Sequence, residues 1–296
     1  MRVFYLPAAS LILFAAVLFF PRIGGLFIPF SPLLLLLYFS EPAREKKSDI
    51  LLLAVIALCA AFEPYLSVYY VITVMFTAYM INRFQNMPDS NWLPVAASPI
   101  PAFVVSSALV FFSESVRESL IENVINILET LVKAAKDAPD TGAAAYAAVV
   151  EKNMDLAALS LVLIFPGLIF LTSVLVAYFT KTFFYKIKKY PHEVFRLPDN
   201  LVWVMLAGLA FFFTKDVYMR SVAFNTLLVF AGLYFIQGFE VLRHWVHRFK
   251  LAGIFKAIIY IIIFSEPPLM LALAMVGLFT IWFNFFGKPK QESTEG

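Results

Sequence analysis

The stretch DLAALSLVLIFPGLIFLTSVLVAYFTK occupies residues 155–181, and its only charged side chains are those of Asp155 and Lys181 at the two ends. An α-helix rises about 1.5 Å per residue, so about 20 apolar residues cross the roughly 30 Å of hydrocarbon in a bilayer. The length and composition of this stretch therefore predict a transmembrane helix.

Comparable apolar runs extend through the chain, which is 61% apolar and 15% charged, against about 25% charged in an average soluble domain. Three of the runs, near 50–63, 199–214 and 252–265, are short for a full crossing. The first run has no small-x-small cleavage site before Pro21, so we expect an uncleaved membrane helix there. We predict an all-α protein, a polytopic transmembrane helical bundle of eight to ten membrane segments. The runs lie near residues 3–20, 23–40, 50–63, 65–82, 92–113, 155–181, 199–214, 217–242, 252–265 and 268–286.

The Lys and Arg residues are unevenly distributed between alternate loops. With the N-terminus inside, sixteen of the 23 fall on the inner side and seven on the outer side. Cytoplasmic loops of membrane proteins are enriched in Lys and Arg, so this bias predicts that both termini are cytoplasmic. The net charge of +3 is small and gives no indication of nucleic-acid binding.

The single long polar segment, 114–154, divides the chain into an N-terminal membrane bundle (1–113), the segment itself, a C-terminal membrane bundle (155–286) and a polar cytoplasmic tail (287–296). The predicted topology places the segment outside, and its first part has the apolar periodicity of an amphipathic helix. Such a helix lies on the outer leaflet or covers a pocket between membrane helices. The alternative is a packed lid without function. The predicted apolar stripe consists of Val116, Leu120, Val124, Leu128, Leu131 and Ala135, reinforced by Ile121, Ile125 and Val132.

Glu-Pro steps interrupt runs 50–82 and 252–286 at Glu63 and Glu266. Each pair of short runs is either two crossings or one re-entrant hairpin, and the chain returns to the same side in both cases. A glutamate at an outer hairpin tip lies in water, whereas a deeper one is a proton or cation site. We therefore include both glutamates among the candidate substrate-binding residues.

Run 217–248 contains the other candidates, Asn225, Gln237 and Glu240. Polar groups at membrane depth are costly and often functional. Gln237 and Glu240 are three residues apart and share a helical face with His244. Interhelical hydrogen bonding is the favoured interpretation of the two amides. For Glu240 the favoured interpretation is a position at the cytoplasmic end of the helix, where it pairs with nearby basic residues.

The basic residues after run 155–181 predict a cytoplasmic loop that contacts anionic lipid headgroups and, as an alternative, a partner protein. The lone Cys59 and three scattered histidines provide no metal site, and no cofactor is expected. Motifs of P-loop, Rossmann, serine-hydrolase and zinc-protease enzymes are missing from the sequence, so we expect no enzyme. An intramembrane enzyme acting on lipid-linked material is the remaining alternative in that class. The residues expected to contact headgroups are Lys181, Lys186, Lys188, Lys189 and Arg196.

The C-terminal half resembles the YybS-like family of bacterial membrane proteins, a family of unknown function. The resemblance covers about 190–286, with Thr280 standing where the family pattern leads us to expect aspartate. It implies a multi-pass protein of the bacterial cytoplasmic membrane. The motifs are LPDNLVW (197–203), NTLL (225–228), LYFIQG (233–238), Pro268-Leu269 and GLFTIWFNF (277–285).

That family is similar in turn to the substrate-binding membrane components of energy-coupling-factor vitamin transporters. The similarity implies a small-solute-binding or transport component with a site near the outer face and an energising membrane or cytoplasmic partner. The first run lacks the Ala-x-x-x-Ala face with which those components dock onto their partner. The alternative function is a membrane scaffold or assembly factor without a transported substrate.

Overall fold

A computed structural model describes residues 5–19, 30–41, 46–62, 64–84, 91–137, 141–191, 194–250, 252–283 and 285. These ranges contain helices, turns and short connections but no strand, so the predicted all-α class is confirmed. The predicted polar tail, 287–296, lies outside them. The helices are α1 (Tyr5–Phe19), α2 (Phe30–Phe39), α3 (Lys46–Phe62), α4 (Pro64–Tyr69), a π-helix (Tyr70–Met75), α5 (Phe76–Phe84), α6 (Leu93–Ala97), α7 (Ile100–Phe112), α8 (Glu114–Lys136), α9 (Thr141–Lys152), α10 (Met154–Lys188), α11 (Leu201–Leu209), a 3-10 helix (Ala210–Phe213), α12 (Val217–Arg248), α13 (Gly253–Ser265) and α14 (Pro267–Phe279).

Helix α10, which contains the opening stretch, packs against helices from both halves of the chain. Helix α7 runs antiparallel to α10. Phe103 packs edge-on against Phe170 with ring centroids 5.9 Å apart. Nearer the C-terminal end of α10, the ammonium of Lys181 donates to the carbonyl of Asn91, which precedes α6.

Helix α12 runs parallel to α10. The backbone N–H of Gly167 donates to Asn225, and farther along both helices the hydroxyl of Tyr178 donates to Glu240. Helix α11 packs against α12, where Gly208 lies against the side chain of Thr226. The largest apolar core of the described residues forms where these helices meet α6, α14 and the start of α7.

Helix α14 lies antiparallel to α12 at very short range. A Cβ atom placed on Gly277 would lie 1.9 Å from the carbonyl oxygen of Tyr234, and one on Gly238 would lie 1.9 Å from that of Leu273. Small residues allow such close contact between membrane helices, where dispersion and packing replace the hydrophobic driving force.

A hydroxyl cluster joins the N-terminal helices. Ser10 on α1 and Ser31 on α2 each donate to the other's carbonyl oxygen, at 2.7 and 2.8 Å. The hydroxyl of Tyr70 in the π-helix lies 2.9 Å from that of Ser10. Leu35, Leu36 and Tyr38 from α2 pack with Phe184 and Tyr185 of α10 in a second apolar core.

The polar segment folds into a helical hairpin of α8 and α9, joined by an ion pair of 2.6 Å between Lys136 and Glu151. Leu120, Ile121 and Val124 pack on the ends of α7 and α10, as the periodicity predicts. The predicted inward position of Leu131 in the stripe is wrong, because 59% of this residue is exposed. The inward face turns to Val132, since one helical turn takes 3.6 residues and the stripe drifts around the helix.

Three helical stretches are long and apolar enough to cross a membrane: 93–112, Met154–Lys188 and Val217–Arg248. Helices α13 and α14 together form a fourth candidate, bent by 102°. Phe30–Phe39 and Leu201–Phe213 are shorter apolar helices. The prediction of a multi-pass membrane protein is therefore confirmed. The number of eight to ten membrane segments stays a prediction, because the described residues contain three or four candidate spans.

Candidate functional site

An apolar cavity of about 590 Å³ lies between α4, the π-helix, α7 and α10, and the first two turns of α8 form one of its walls. This volume is within the range of small-molecule sites, roughly 300–1,000 Å³. The residues that line it are Pro64, Val68, Tyr69, Ile72, Ala102, Val105, Ser106, Leu109, Val110, Val116, Leu120, Phe165 and Ile169.

Two interruptions of regular α-helix border this cavity. Ile72 belongs to the π-helix Tyr70–Met75, whose wider turn departs from regular α-helical geometry. Phe165 and Ile169 lie on either side of Pro166, which has no backbone N–H and removes a hydrogen bond from α10. Irregular helix turns often occur at functional sites, and here two of them lie along one cavity.

The chemistry of the lining is almost entirely that of hydrocarbon. No lining residue is charged, and Tyr69 and Ser106 are the two with a side-chain hydroxyl. The Ser106 hydroxyl donates to the carbonyl of Ala102 in its own helix, at 2.7 Å. The walls are therefore suited to apolar contact rather than to hydrogen bonding.

A second, much smaller cavity lies near the C-terminal end of α10. Its volume is about 20 Å³, enough for one water molecule. Polar and charged side chains face it, in contrast to the first cavity. The lining residues are Val95, Tyr178, Lys181, Thr182, Tyr185, Phe195 and Glu240.

Glu240 is the predicted candidate that lies at this small cavity. It is 3% exposed, and its carboxylate accepts a hydrogen bond of 2.7 Å from Tyr178. Arg243 on the next turn of α12 approaches the same oxygen at 3.8 Å. A carboxylate held in this way is stabilised by a charge-assisted hydrogen bond and by a nearby cation. The predicted pairing with a nearby basic residue is therefore found, but the carboxylate is buried.

Lys181 corrects one of the predicted headgroup contacts. It is 9% exposed, its ammonium donates to the carbonyl of Asn91 at 2.7 Å, and it lies 5.2 Å from the ring centre of Tyr185. An ammonium enclosed by protein in this way cannot bind lipid. Lys186, Lys189 and Arg196 are exposed, whereas Lys188 forms an ion pair of 3.1 Å with Glu41.

Asn225 repairs the helix around Pro166. Its side-chain oxygen accepts from the N–H of Gly167 at 2.6 Å, and its amide nitrogen donates to the carbonyl of Leu163 at 2.8 Å. In a regular helix the N–H of residue 167 and the carbonyl of residue 163 would bond to each other. The side chain of Asn225 is thus inserted into a gap in α10. A third hydrogen bond, to the carbonyl of Ser221, orients the amide.

Gln237 joins three separate parts of the C-terminal half. Its side-chain oxygen accepts from the N–H of Leu197 at 2.7 Å, and its amide nitrogen donates to the carbonyl of Gly277 at 3.0 Å and to the hydroxyl of Thr280. Neither Gln237 nor Asn225 lines either cavity. Their positions agree with the interhelical interpretation of the two amides, and their role as ligand contacts stays a prediction.

Of the two Glu-Pro candidates, the structure describes Glu266 alone. Glu63 is outside the residues that the structure describes. Glu266 is exposed at the bend between α13 and α14. Within the described ranges, no group of three or more His, Cys, Asp or Glu side chains is arranged to hold a metal ion.

Sequence reasoning missed Tyr178 and the residues that line the apolar cavity. Tyr178 lies in an apolar run with nothing to mark it, and its partner Glu240 is 62 residues away. The cavity walls come from four separate stretches of chain. The signals available from sequence were indirect: a proline inside a long membrane helix and an amphipathic segment that needs a surface to cover.

No curated protein and no solved structure matches this chain. The model of one protein family matches residues 8–280, which is most of the chain, and the family is described as "Predicted membrane protein (DUF2232)". This result confirms the resemblance to the YybS-like family and extends it into the N-terminal half. The chain therefore belongs to this family of predicted membrane proteins.

Proposed function

We propose that this protein is a small-solute-binding or transport component of the bacterial cytoplasmic membrane, with its solute site in the apolar cavity. The observation that carries the proposal is the position of this cavity between membrane helices, with α8 of the polar segment across one side. Val116 and Leu120 reach into the cavity from α8. A site of this kind agrees with the expectation of a pocket covered by residues 114–154.

The proposed orientation has both termini in the cytoplasm. It is supported by the uneven distribution of Lys and Arg and by the shared direction of α10 and α12, whose C-terminal ends contain exposed basic residues. Lys186, Lys189 and Arg196 are accessible for anionic headgroups there. In this orientation the apolar cavity opens near the outer leaflet. The proposal assigns the protein no catalytic step.

The alternative function is a membrane scaffold or assembly factor. The hairpin of α8 and α9 favours it, because Ile127, Leu131 and Val149 are 59%, 59% and 63% exposed on a polar segment. Exposed apolar side chains of this kind are typical of protein contact sites when they form a continuous patch. A scaffold would need no occupied cavity, so the two functions make different predictions for purified protein.

The test is mass spectrometry of molecules that co-purify with the protein in mild detergent, using two matched tryptophan variants. Ile169→Trp fills the cavity from α10, whereas Leu168→Trp adds the same side chain at the adjacent, 37% exposed position outside it. We expect a small molecule bound to the native protein and to Leu168→Trp, and reduced by about tenfold or more in Ile169→Trp. A co-purifying protein, with no small molecule sensitive to Ile169→Trp, would support the scaffold instead.

A further inference from the structure

Resting on the proposed function, we propose that the solute is lipid-like: a single-chain amphiphile that enters from the bilayer and places its hydrocarbon chain in the apolar cavity. The proposal follows from the chemistry of the walls, their exposure and the position of the polar residues at one end.

The walls select against polar solutes. Binding sites for polar metabolites place several hydrogen-bonding groups around the ligand. Here the hydroxyl of Ser106 is bonded to Ala102 of its own helix, and no amide, imidazole or charged side chain lines the cavity. Each hydrogen-bonding group of a solute that is buried without a partner lowers its affinity by about tenfold or more. A vitamin-like heterocycle, which the similarity to vitamin transporters leads us to expect, is therefore a poor fit.

The exposure of the lining residues indicates that the solute enters the cavity sideways from the bilayer. Val68, Leu109 and Phe165 are 52%, 44% and 42% exposed and also line the cavity. In a membrane protein, apolar side chains exposed on the outside of the helices face lipid. The cavity is thus continuous with the lipid-facing surface between α4, α7 and α10. A molecule that is already dissolved in the bilayer reaches it without crossing water.

The corner between α7 and α8 provides a polar boundary at one end. Val110, the last lining residue of α7, has its carbonyl oxygen 3.4 Å from the guanidinium of Arg117. Glu114 and Glu118, three residues before and one residue after Arg117 on α8, are exposed. An amphiphile would have its chain between α7 and α10 and its polar end at this corner. Such an arrangement requires an apolar space with an adjacent polar end, and the structure contains both.

The experiment is photolabelling of the full-length protein in lipid nanodiscs with a diazirine-bearing hexadecanol. Labelled peptides are identified by mass spectrometry, and unlabelled hexadecanol or riboflavin serves as competitor. Val105→Trp fills the cavity from α7, and Val104→Trp is the matched control, since Val104 is 55% exposed and lies outside the cavity. Leu120→Trp, on the wall formed by α8, is a second cavity variant on a different helix. Thermal unfolding of each variant checks that it is folded.

We expect labelling of α7 and α10 that hexadecanol suppresses and riboflavin does not. It should fall by about tenfold or more in Val105→Trp and Leu120→Trp and remain unchanged in Val104→Trp. Competition by riboflavin but not by hexadecanol would overturn the lipid-like class and leave the binding function intact. If the folded cavity variants neither reduce labelling nor lose a co-purified molecule, then both the class and the proposed function are wrong.

Discussion

Replacement of Asn225 by leucine probes the contact between α10 and α12 at its most polar point. The change leaves the N–H of Gly167 without its acceptor at 2.6 Å and the carbonyl of Leu163 without a donor at 2.8 Å. A buried polar group left without a partner costs about 1–3 kcal/mol, and an average hydrogen bond between membrane helices contributes about 0.6 kcal/mol. Two groups lose their partners here, and the lower value found in membranes reduces the sum, so we expect the free energy of unfolding to fall by about 2–4 kcal/mol.

Pro166 is the physical reason why this contact needs Asn225. The proline ring has no N–H and collides with the carbonyl four residues earlier, so the regular hydrogen bonds of α10 are interrupted there. In Pro166→Ala the helix is free to become regular, and the N–H of Gly167 then bonds to Leu163 within α10. Asn225→Leu should therefore cost at least about 1 kcal/mol less in the Pro166→Ala background, which is a typical coupling energy for residues in one network.

The assay is equilibrium unfolding of purified protein in mixed detergent micelles, followed by circular dichroism and by fluorescence of the four tryptophans. Asn126→Leu is the matched control because Asn126 is exposed on α8, and its replacement should change stability by less than about 0.5 kcal/mol. An equal cost of Asn225→Leu in the native and Pro166→Ala backgrounds would refute the bridging role. A cost no larger than that of the control would refute it too.

Three further predictions follow from the packing, the buried carboxylate and the topology. Gly277→Ala places a Cβ 1.9 Å from a carbonyl oxygen of α12 and should destabilise the protein by about 3 kcal/mol in the same unfolding assay. The control is Gly253→Ala, whose Cβ meets nothing within 4 Å and which should be neutral or slightly stabilising. Tyr178→Phe removes the hydrogen bond to a buried carboxylate and should cost about 1.5–3 kcal/mol; no measurable loss would show that the bond is not formed. In a protein whose native cysteine is replaced, an impermeant maleimide should label Glu122→Cys, on the proposed outer side, in intact cells. It should label Lys189→Cys, on the proposed cytoplasmic side, only after lysis, and the reverse pattern would overturn the proposed orientation.

The fold class could be predicted from sequence because lipid imposes one simple requirement. A helix in a bilayer satisfies its own backbone hydrogen bonds and needs apolar side chains over about 20 residues, a signal that is local in sequence. Runs 155–181 and 217–242 satisfy it and correspond to α10 and α12. The ends are less well predicted: α10 continues to Lys188, beyond the apolar run that ends at Lys181, because polar side chains are compatible with a helix that extends past the hydrocarbon.

The candidate site could be predicted only in part. Periodicity correctly places Gln237 and Glu240 on neighbouring positions of one helix, about 60° apart around its axis. That angle is enough to direct them to different neighbours, since Gln237 bonds to Leu197 and Gly277 whereas Glu240 bonds to Tyr178. Which neighbour a buried polar group meets depends on contacts between distant parts of the chain, and one sequence contains no record of them.

Helix α10 touches both cavities, and its hydrogen bonding differs between them. Near the small cavity, Tyr178 and Lys181 lie on a continuous helix and are bonded to neighbouring elements. Beside the apolar cavity, the helix is interrupted at Pro166 and completed by a side chain from another helix. A helix completed by one side-chain amide is easier to bend than one completed by its own backbone. If α10 moves to admit a solute, we therefore expect it to bend at Pro166. The hydrogen bonds of Asn225 oppose this bend, and the part of α10 that contains Tyr178 stays in place.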